Sequence, residues 1–249
     1  MSAAVVGRGH ARRGEACADA VGTRCFGRYA AIAVLADGAG SAKYGVQAAH
    51  MAVNKTIEQL EDTIKSRKGC SINALKGAVR AVSSTLERQA ARQGARIADY
   101  GTTLLVAYAQ MRRNTLNYCI GHIGDGCVVA ATETASVVLS EPCRGEHANE
   151  TYFLTTQNVE ERAHFACGTL DPSFGLILMS DGTASCLYDY KQRSPASGCC
   201  TISGWARRLR GTKLQRVINR NVGEVFTGHT NDDCSIALMK VIGIGRARR

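Results

Sequence analysis

The sequence predicts an α+β fold built on a largely antiparallel sheet, and three observations carry that expectation. Strand-length apolar runs end repeatedly at Asp-Gly. Two long stretches near the N-terminal half repeat their apolar residues at helical spacing. The apolar runs between residues 101 and 140 follow one another through connections too short for a parallel crossover, which favours antiparallel neighbours.

In chain order, "RYAAIAVLA" over 28–36 reads as a buried strand ending at Asp37-Gly38. From about 42 to 65, Val46, Ala49, Val53, Ile57, Leu60 and Ile64 fall three and four apart, one face of a helix that Gly69 ends. A second amphipathic helix fits 71–92, with Ser71 as its cap. The period then changes to that of strands over 101–110, 115–124 and 126–132, with turns at Asn114 and at Gly124-Asp125-Gly126. A further strand fits 136–140. Residues 141–172 look irregular apart from "TYFLTT" and "RAHFAC". "FGLILMSDG" (174–182) is a strand running into Asp-Gly, 203–221 a helix weakened by Gly211, and 234–244 a last strand. Two sheets flanked by helices would bury these faces. No repeat and no domain boundary shows, so one domain over 1–249 is expected.

The bulk numbers narrow the function classes. Of 249 residues, 45% are hydrophobic and 21% charged, ordinary for a globular protein, and three prolines leave no Pro-rich linker. The net charge of +10 suits phosphorylated or nucleic-acid partners. Its dense clusters are Arg12-Arg13, Arg112-Arg113, "RRLR" at 207–210 and a basic tail at 245–249. None interleaves aromatics as a base-stacking surface does, and no specific nucleic-acid binding is expected. Eleven cysteines, an odd number and without C-x-x-C spacing, read as reduced thiols of a cytoplasmic protein. No run reaches the ~20 apolar residues of a membrane helix, and the N-terminal apolar stretch is short for a signal peptide. A soluble, cytoplasmic monomer is the expectation.

Asp37, Asp125, Asp181 and Asp232 share one setting: each stands at an end of an apolar strand, and the first three precede glycine. Strand ends meet at a common rim. Carboxylates emerging there make an oxygen-rich cage for a hard cation, Mg²⁺ or Mn²⁺ rather than Zn²⁺. Asp-Gly also occurs in turns for conformational reasons alone, but three such pairs abutting apolar strands favour the cage.

The motifs "ADGAGSAKYG", "GTTLL", "IGHIGDG", "LMSDG" and "NDDCSIALM" occur in the order of the signature motifs of the metal-dependent protein phosphatases of type 2C, which the chain resembles from about Gly7 to Val241. "GRGHARRGEACADAVG" and "GEHANETYFLT" are similar to segments of a bacterial branch of that family. The resemblance implies a central antiparallel β-sandwich with helices on both faces, four layers α/β/β/α. It implies a serine/threonine phosphatase that uses two Mn²⁺ or Mg²⁺ ions and the water between them. Asp37 would bridge the ions, the Gly38 carbonyl would bind one, Asp181 and Asp232 would hold the other, and Asp19 would hold metal-bound water. Gly101 and Thr102-Thr103 would be structural. The partners implied are a phosphorylated protein substrate and a cognate kinase, with selectivity in a variable flap over 141–172.

The chain also departs from the family pattern. Gly14 stands where an arginine is usual, which leaves His10, Arg12 and Arg13 to grip phosphate, with Arg13 and His10 favoured. Ala39 replaces a histidine of some members, and Ser185 an acidic residue tied to a third ion, so two ions are expected and Asp125 stays outside the ligand set. Asp232-Asp233 replaces Asp-Asn; register favours Asp232 as ligand. The alternative function is a phosphatase-fold signalling or binding module with weak or no activity.

Overall fold

The computed structural model describes residues 1–27, 29–65, 69, 71–142 and 151–240. The basic tail and part of the flap segment lie outside the described residues. The strands are β1 (Ser2–Val5), β2 (Asp19–Phe26), β3 (Ala30–Asp37), β4 (Leu104–Arg112), β5 (Thr115–Ile123), β6 (Cys127–Ala131), β7 (Ser136–Ser140), β8 (His164–Leu170), β9 (Gly175–Met179), a two-residue pair β10 (Tyr188–Asp189) and β11 (Ser194–Pro195), and β12 (Cys234–Lys240). The helices are α1 (Arg8–Arg12), α2 (Gly45–Lys65), α3 (Ile72–Gln93), α4 (Val159–Arg162), α5 (Asp181–Leu187), α6 (Gly198–Arg208) and α7 (Gly211–Arg220).

Two five-stranded sheets form, in the orders β1-β12-β9-β6-β7 and β2-β3-β4-β5-β8, and every pair in them is antiparallel. The long apolar strands arise because they are covered on both faces. In β3, Ile32, Val34 and Ala36 face the helices while Ala33 and Leu35 face the other sheet. In β9, Ile177 and Met179 face helices and Leu176 and Leu178 face the other sheet. Helices α2 and α3 cover the first outer face through Leu60, Leu75, Val82 and Leu86, and α6 and α7 cover the second through Ile202, Leu214 and Ile218. The four-layer α/β/β/α sandwich is therefore the observed architecture. Ser71 caps α3 by accepting the Ala74 N–H at 3.2 Å.

Several elements differ from expectation. Strands β5 and β6 are not neighbours: Gly124-Asp125-Gly126 carries the chain from one sheet to the other. The expected helix over 203–221 is two helices, α6 and α7, broken at Leu209-Arg210, where the Arg210 guanidinium takes the carbonyls that end α6. "TYFLTT" lies outside any strand, Asp181 opens a helix rather than a turn, and β1, β2 and α1 are additional elements. The expectation of reduced thiols is corrected for one pair. Cys119 and Cys167 are direct partners on β5 and β8, 4.0 Å apart at Cα, and form a disulfide. Adjacent strands put their side chains face to face, which no spacing along the chain reveals.

Candidate metal centre

Asp37 is the last residue of β3, and its backbone is held before its carboxylate is considered. Its N–H donates to Thr103 Oγ1 at 2.9 Å, and its carbonyl accepts from Thr103 N at 2.8 Å and Thr102 Oγ1 at 2.9 Å. Gly38 follows in a close approach: a Cβ there would stand 2.4 Å from the Gly45 carbonyl, at the start of α2. A side chain at position 38 would push that helix away from the strand end.

Asp19 opens β2 directly opposite Asp37 in register. It is buried, and among the described residues no hydrogen bond of ordinary geometry reaches either carboxylate oxygen, the Ser180 and Ser235 hydroxyls standing near them as weaker neighbours. Asp181 opens α5 immediately after β9 and Ser180, and one of its oxygens accepts the Gly182 N–H at 2.6 Å. Asp125 sits in the turn that crosses between the sheets, accepting a 2.9 Å hydrogen bond from the Thr151 hydroxyl. Carboxylate oxygens of Asp37, Asp125 and Asp181 lie within 4.8 Å of one another. Asp232, exposed just before β12, adds its charge to Asp37 and Asp181.

These carboxylates disfavour one another's ionisation. Burial first, then Asp19, Asp181, Asp232 and Asp125, push the Asp37 carboxyl well above its usual range. Burial first, then Asp232 and Asp125, pushes Asp181 up to about 7. Burial, partly offset by the Ser235 and Ser180 hydroxyls, does the same to Asp19, again to about 7. Among the described residues no lysine or arginine forms an ion pair with Asp19, Asp37, Asp125 or Asp181. Crowded carboxylates, orphaned buried oxygens and no protein cation are what a site for divalent ions requires, and an all-oxygen donor set suits hard ions.

The remaining site candidates lie on one flank. His10, in α1, places Nδ1 2.9 Å from Asp233 Oδ1. Asp233 is buried, and its oxygens accept the N–H groups of Gly7 and Ala18, each at 2.6 Å. It is committed to holding the N-terminal segment, while both Asp232 and Asp233 add their charges to Asp181. Arg13 grips Glu15 through two nitrogens at 2.9 and 2.6 Å, both side chains exposed, and Arg12 is exposed beside it. Sequence reasoning set Asp125 aside, yet the structure brings it to Asp37 and Asp181. The signal was its Asp-Gly at a strand end, the same signal that pointed to the other two.

The fold and the cluster define a two-sheet α+β protein with a candidate carboxylate site for divalent cations at the rim of both sheets. The chain matches protein phosphatase 2C over residues 6–219 and belongs to that family. A search of curated proteins finds no match. Among solved structures it is similar to the catalytic domain of the serine/threonine protein phosphatase PstP in complex with two manganese ions, at 18% identity over 98% of each chain and a TM-score of 0.63. PppA, a key regulatory component of T6SS in Pseudomonas aeruginosa, matches at 15% identity over 96% of each chain, with a TM-score of 0.62. A C. elegans sex-determining protein matches at 11% identity over 97% of this chain and 64% of that one, with a TM-score of 0.72. At these identities the likeness speaks for the fold. No helix among the described residues is long and apolar enough to cross a membrane.

Proposed function

We propose that this phosphatase hydrolyses phosphoserine and phosphothreonine in protein substrates, with two Mn²⁺ or Mg²⁺ ions held by Asp37, the Gly38 carbonyl, Asp181 and Asp232, and with Asp19 behind them. The observation that carries the reading is the convergence of Asp37, Asp125 and Asp181 within 4.8 Å, with no lysine or arginine among the described residues paired to them. Bound divalent ions supply neutralisation of phosphoryl charge and acidification of water. The chain's own residues supply position. Thr102 and Thr103 fix the Asp37 backbone, and the buried Asp19 stands beside it with unshared acceptor oxygens. Arg13 and His10 are the phosphate-gripping candidates. Arg13 feels the charges of Asp232 and Asp233, and its Glu15 pair, exposed and screened by water, is readily exchanged for phosphate.

The chain acts in this reading as one catalytic domain over 1–249, a cytoplasmic monomer opposing a cognate kinase. The flap touches the centre directly: Thr151 donates to Asp125, and Leu154 N–H donates to the Thr102 carbonyl at 2.8 Å. Substrate selectivity is assigned there. The test is turnover of p-nitrophenyl phosphate with Mn²⁺. Asp37→Asn and Asp181→Asn are expected to lose at least ~100-fold, an effect of at least about 2.7 kcal/mol on the barrier. Arg13→Ala is expected to raise KM more than it lowers kcat. Undiminished turnover in both aspartate variants sinks the two-ion reading. Absence of turnover in the wild-type chain, with metal binding intact, favours the second reading, a binding module, which the usual arginine's replacement by Gly14 supports.

A further inference from the structure

The Arg112-Arg113 pair takes no part in the reading above. It lies at the β4–β5 hairpin, at the far end of the sheet from Asp37. Ala30, opposite Gln110, is seven residues from Asp37 along β3, roughly 23 Å at 3.3 Å per residue. A cleft of about 1030 Å³ opens there, lined by Tyr29, Tyr108, Met111, Arg112 and Arg113 among others, with no acidic side chain among the described residues of its wall.

Three features distinguish this surface from an ordinary solvated edge. Many arginines elsewhere on the chain are held by surface carboxylates, as in Arg80–Glu160, Arg193–Glu141 and Arg220–Glu224, whereas others, Arg92 and Arg216 among them, are not so held by any described residue. Arg112 and Arg113 have no such partner among the described residues, and both are exposed. Arg113 also takes φ 55°, a left-handed conformation that costs a residue with a Cβ about 1–2 kcal/mol and that glycine would adopt freely. Tyr29 is 65% exposed, yet its carbonyl is pinned by Met111 N–H at 2.7 Å, so the ring stands out from an ordered backbone. Among the described residues the wall joins these arginines, tyrosines and Met111 to Ile64, Gln110 and Asn117 and holds no lysine or carboxylate, and arginine, tyrosine and methionine are enriched in protein interfaces where lysine and carboxylates are depleted. The cleft is open rather than an enclosed pocket, which disfavours a small molecule. One exposed tyrosine is too few for the stacked aromatics of single-strand binding.

We infer that this cleft docks an extended acidic segment of a protein partner, remote from the metal centre. The guanidinium forks of Arg112 and Arg113 take its carboxylates, and Tyr29 and Met111 take an apolar or aromatic side chain. Binding is independent of activity, so the test uses the full chain in EDTA and reads fluorescence anisotropy of a labelled Glu-Glu-Ser-Tyr repeat peptide. Wild type is expected to bind the peptide. R112E/R113E is expected to weaken binding at least ~10-fold, about 1.4 kcal/mol. R112Q/R113N, which suits the left-handed turn, should weaken it in the same direction. R92E/R216E makes the same charge change outside the cleft and should alter binding less than ~2-fold. Absence of binding to wild type, or equal losses in both charge-reversed variants, overturns the proposal. So does tighter binding of a single-stranded oligonucleotide of equal charge that is lost in R112E/R113E.

Discussion

At the residue scale, Asp19 and Asp181 are the informative groups, because their environment works against the charge they must carry. Both are pushed up to about 7 from an ordinary 3.8, burial being the largest cause. The folded chain then keeps protons that the unfolded chain releases near pH 4. Between about pH 4 and 7 the folded state binds more protons, so stability falls as pH rises through that window. A pKa unit is about 1.4 kcal/mol, and 1 kcal/mol moves the melting temperature of a domain this size by about 2–4 °C. The metal-free protein is therefore expected to lose roughly 5 °C or more between pH 5 and pH 8, measured by thermal melting in EDTA. Saturating Mn²⁺ should flatten the profile, since ions neutralise the charge the protein leaves uncompensated. A flat metal-free profile would show that these carboxyls ionise without penalty. Lys43, which the aspartate pattern leaves without a role, stands 5.1 Å over the Tyr44 ring, which itself stacks on Tyr100 at 4.9 Å. It is a surface contact in the turn just before α2.

At the element scale, the connection from β5 to β6 decides where Asp125 goes. Gly124 adopts φ 114°, and a Cβ there would stand 2.5 Å from the Thr103 side chain, the same threonine that holds Asp37. Gly124→Ala is expected to destabilise the fold by roughly 2–3 kcal/mol in urea unfolding and to lower phosphatase turnover beyond what reduced stability explains. Wild-type turnover in a folded Gly124→Ala protein would show that the crossing does not set the site. This connection also marks the limit of what the sequence discloses. Helices α2 and α3 were legible because their period is local, and β3 and β9 because runs covered on both faces read as continuous apolar stretches. Asp37 and Asp181 were legible for the same reason, as polar residues closing those runs. Whether Gly124-Asp125-Gly126 turns a hairpin or crosses between sheets depends on which strands take the neighbouring places, and those lie far off in the chain. Strand β2 was hidden because it is an edge strand with half its length open to solvent, and β1 because four residues carry little pattern. The Cys119–Cys167 bond needs the β5–β8 register, set between residues 48 apart. Closing a loop of that length stabilises a fold by roughly 2–4 kcal/mol, so a reductant is expected to lower the urea midpoint, and Cys167→Ser should mimic it without further response to reductant.

At the scale of the whole molecule, the carboxylates come from both layers. Asp19 and Asp37 end strands of one sheet, Asp181 and Asp232 flank strands of the other, and Asp125 lies in the turn that passes between them. The inner core between the sheets is built largely of alanine, valine and leucine, including Ala33, Ala107, Ala130 and Ala237, which bring the two backbones close but offer little polar linkage. The rim is thus the place where like charges from two sheets oppose closure and where cations would reverse that opposition. Metal should act as a clamp on the sandwich as a whole. At a hundredfold excess over its dissociation constant, a ligand that binds only the folded state stabilises it by about 2.7 kcal/mol, which corresponds to roughly 5–10 °C for a chain of this size. Mn²⁺ is accordingly expected to raise the melting temperature at pH 7.5 by that amount. Asp37→Asn and Asp181→Asn, one from each sheet, should each remove most of the rise, while also lifting the metal-free melting temperature because one repelling charge is gone. Arg13→Ala, on the flank, should leave the rise intact. If either aspartate variant kept the full Mn²⁺ response, the ions would be held by one sheet alone, and the clamp between the layers would have to be abandoned.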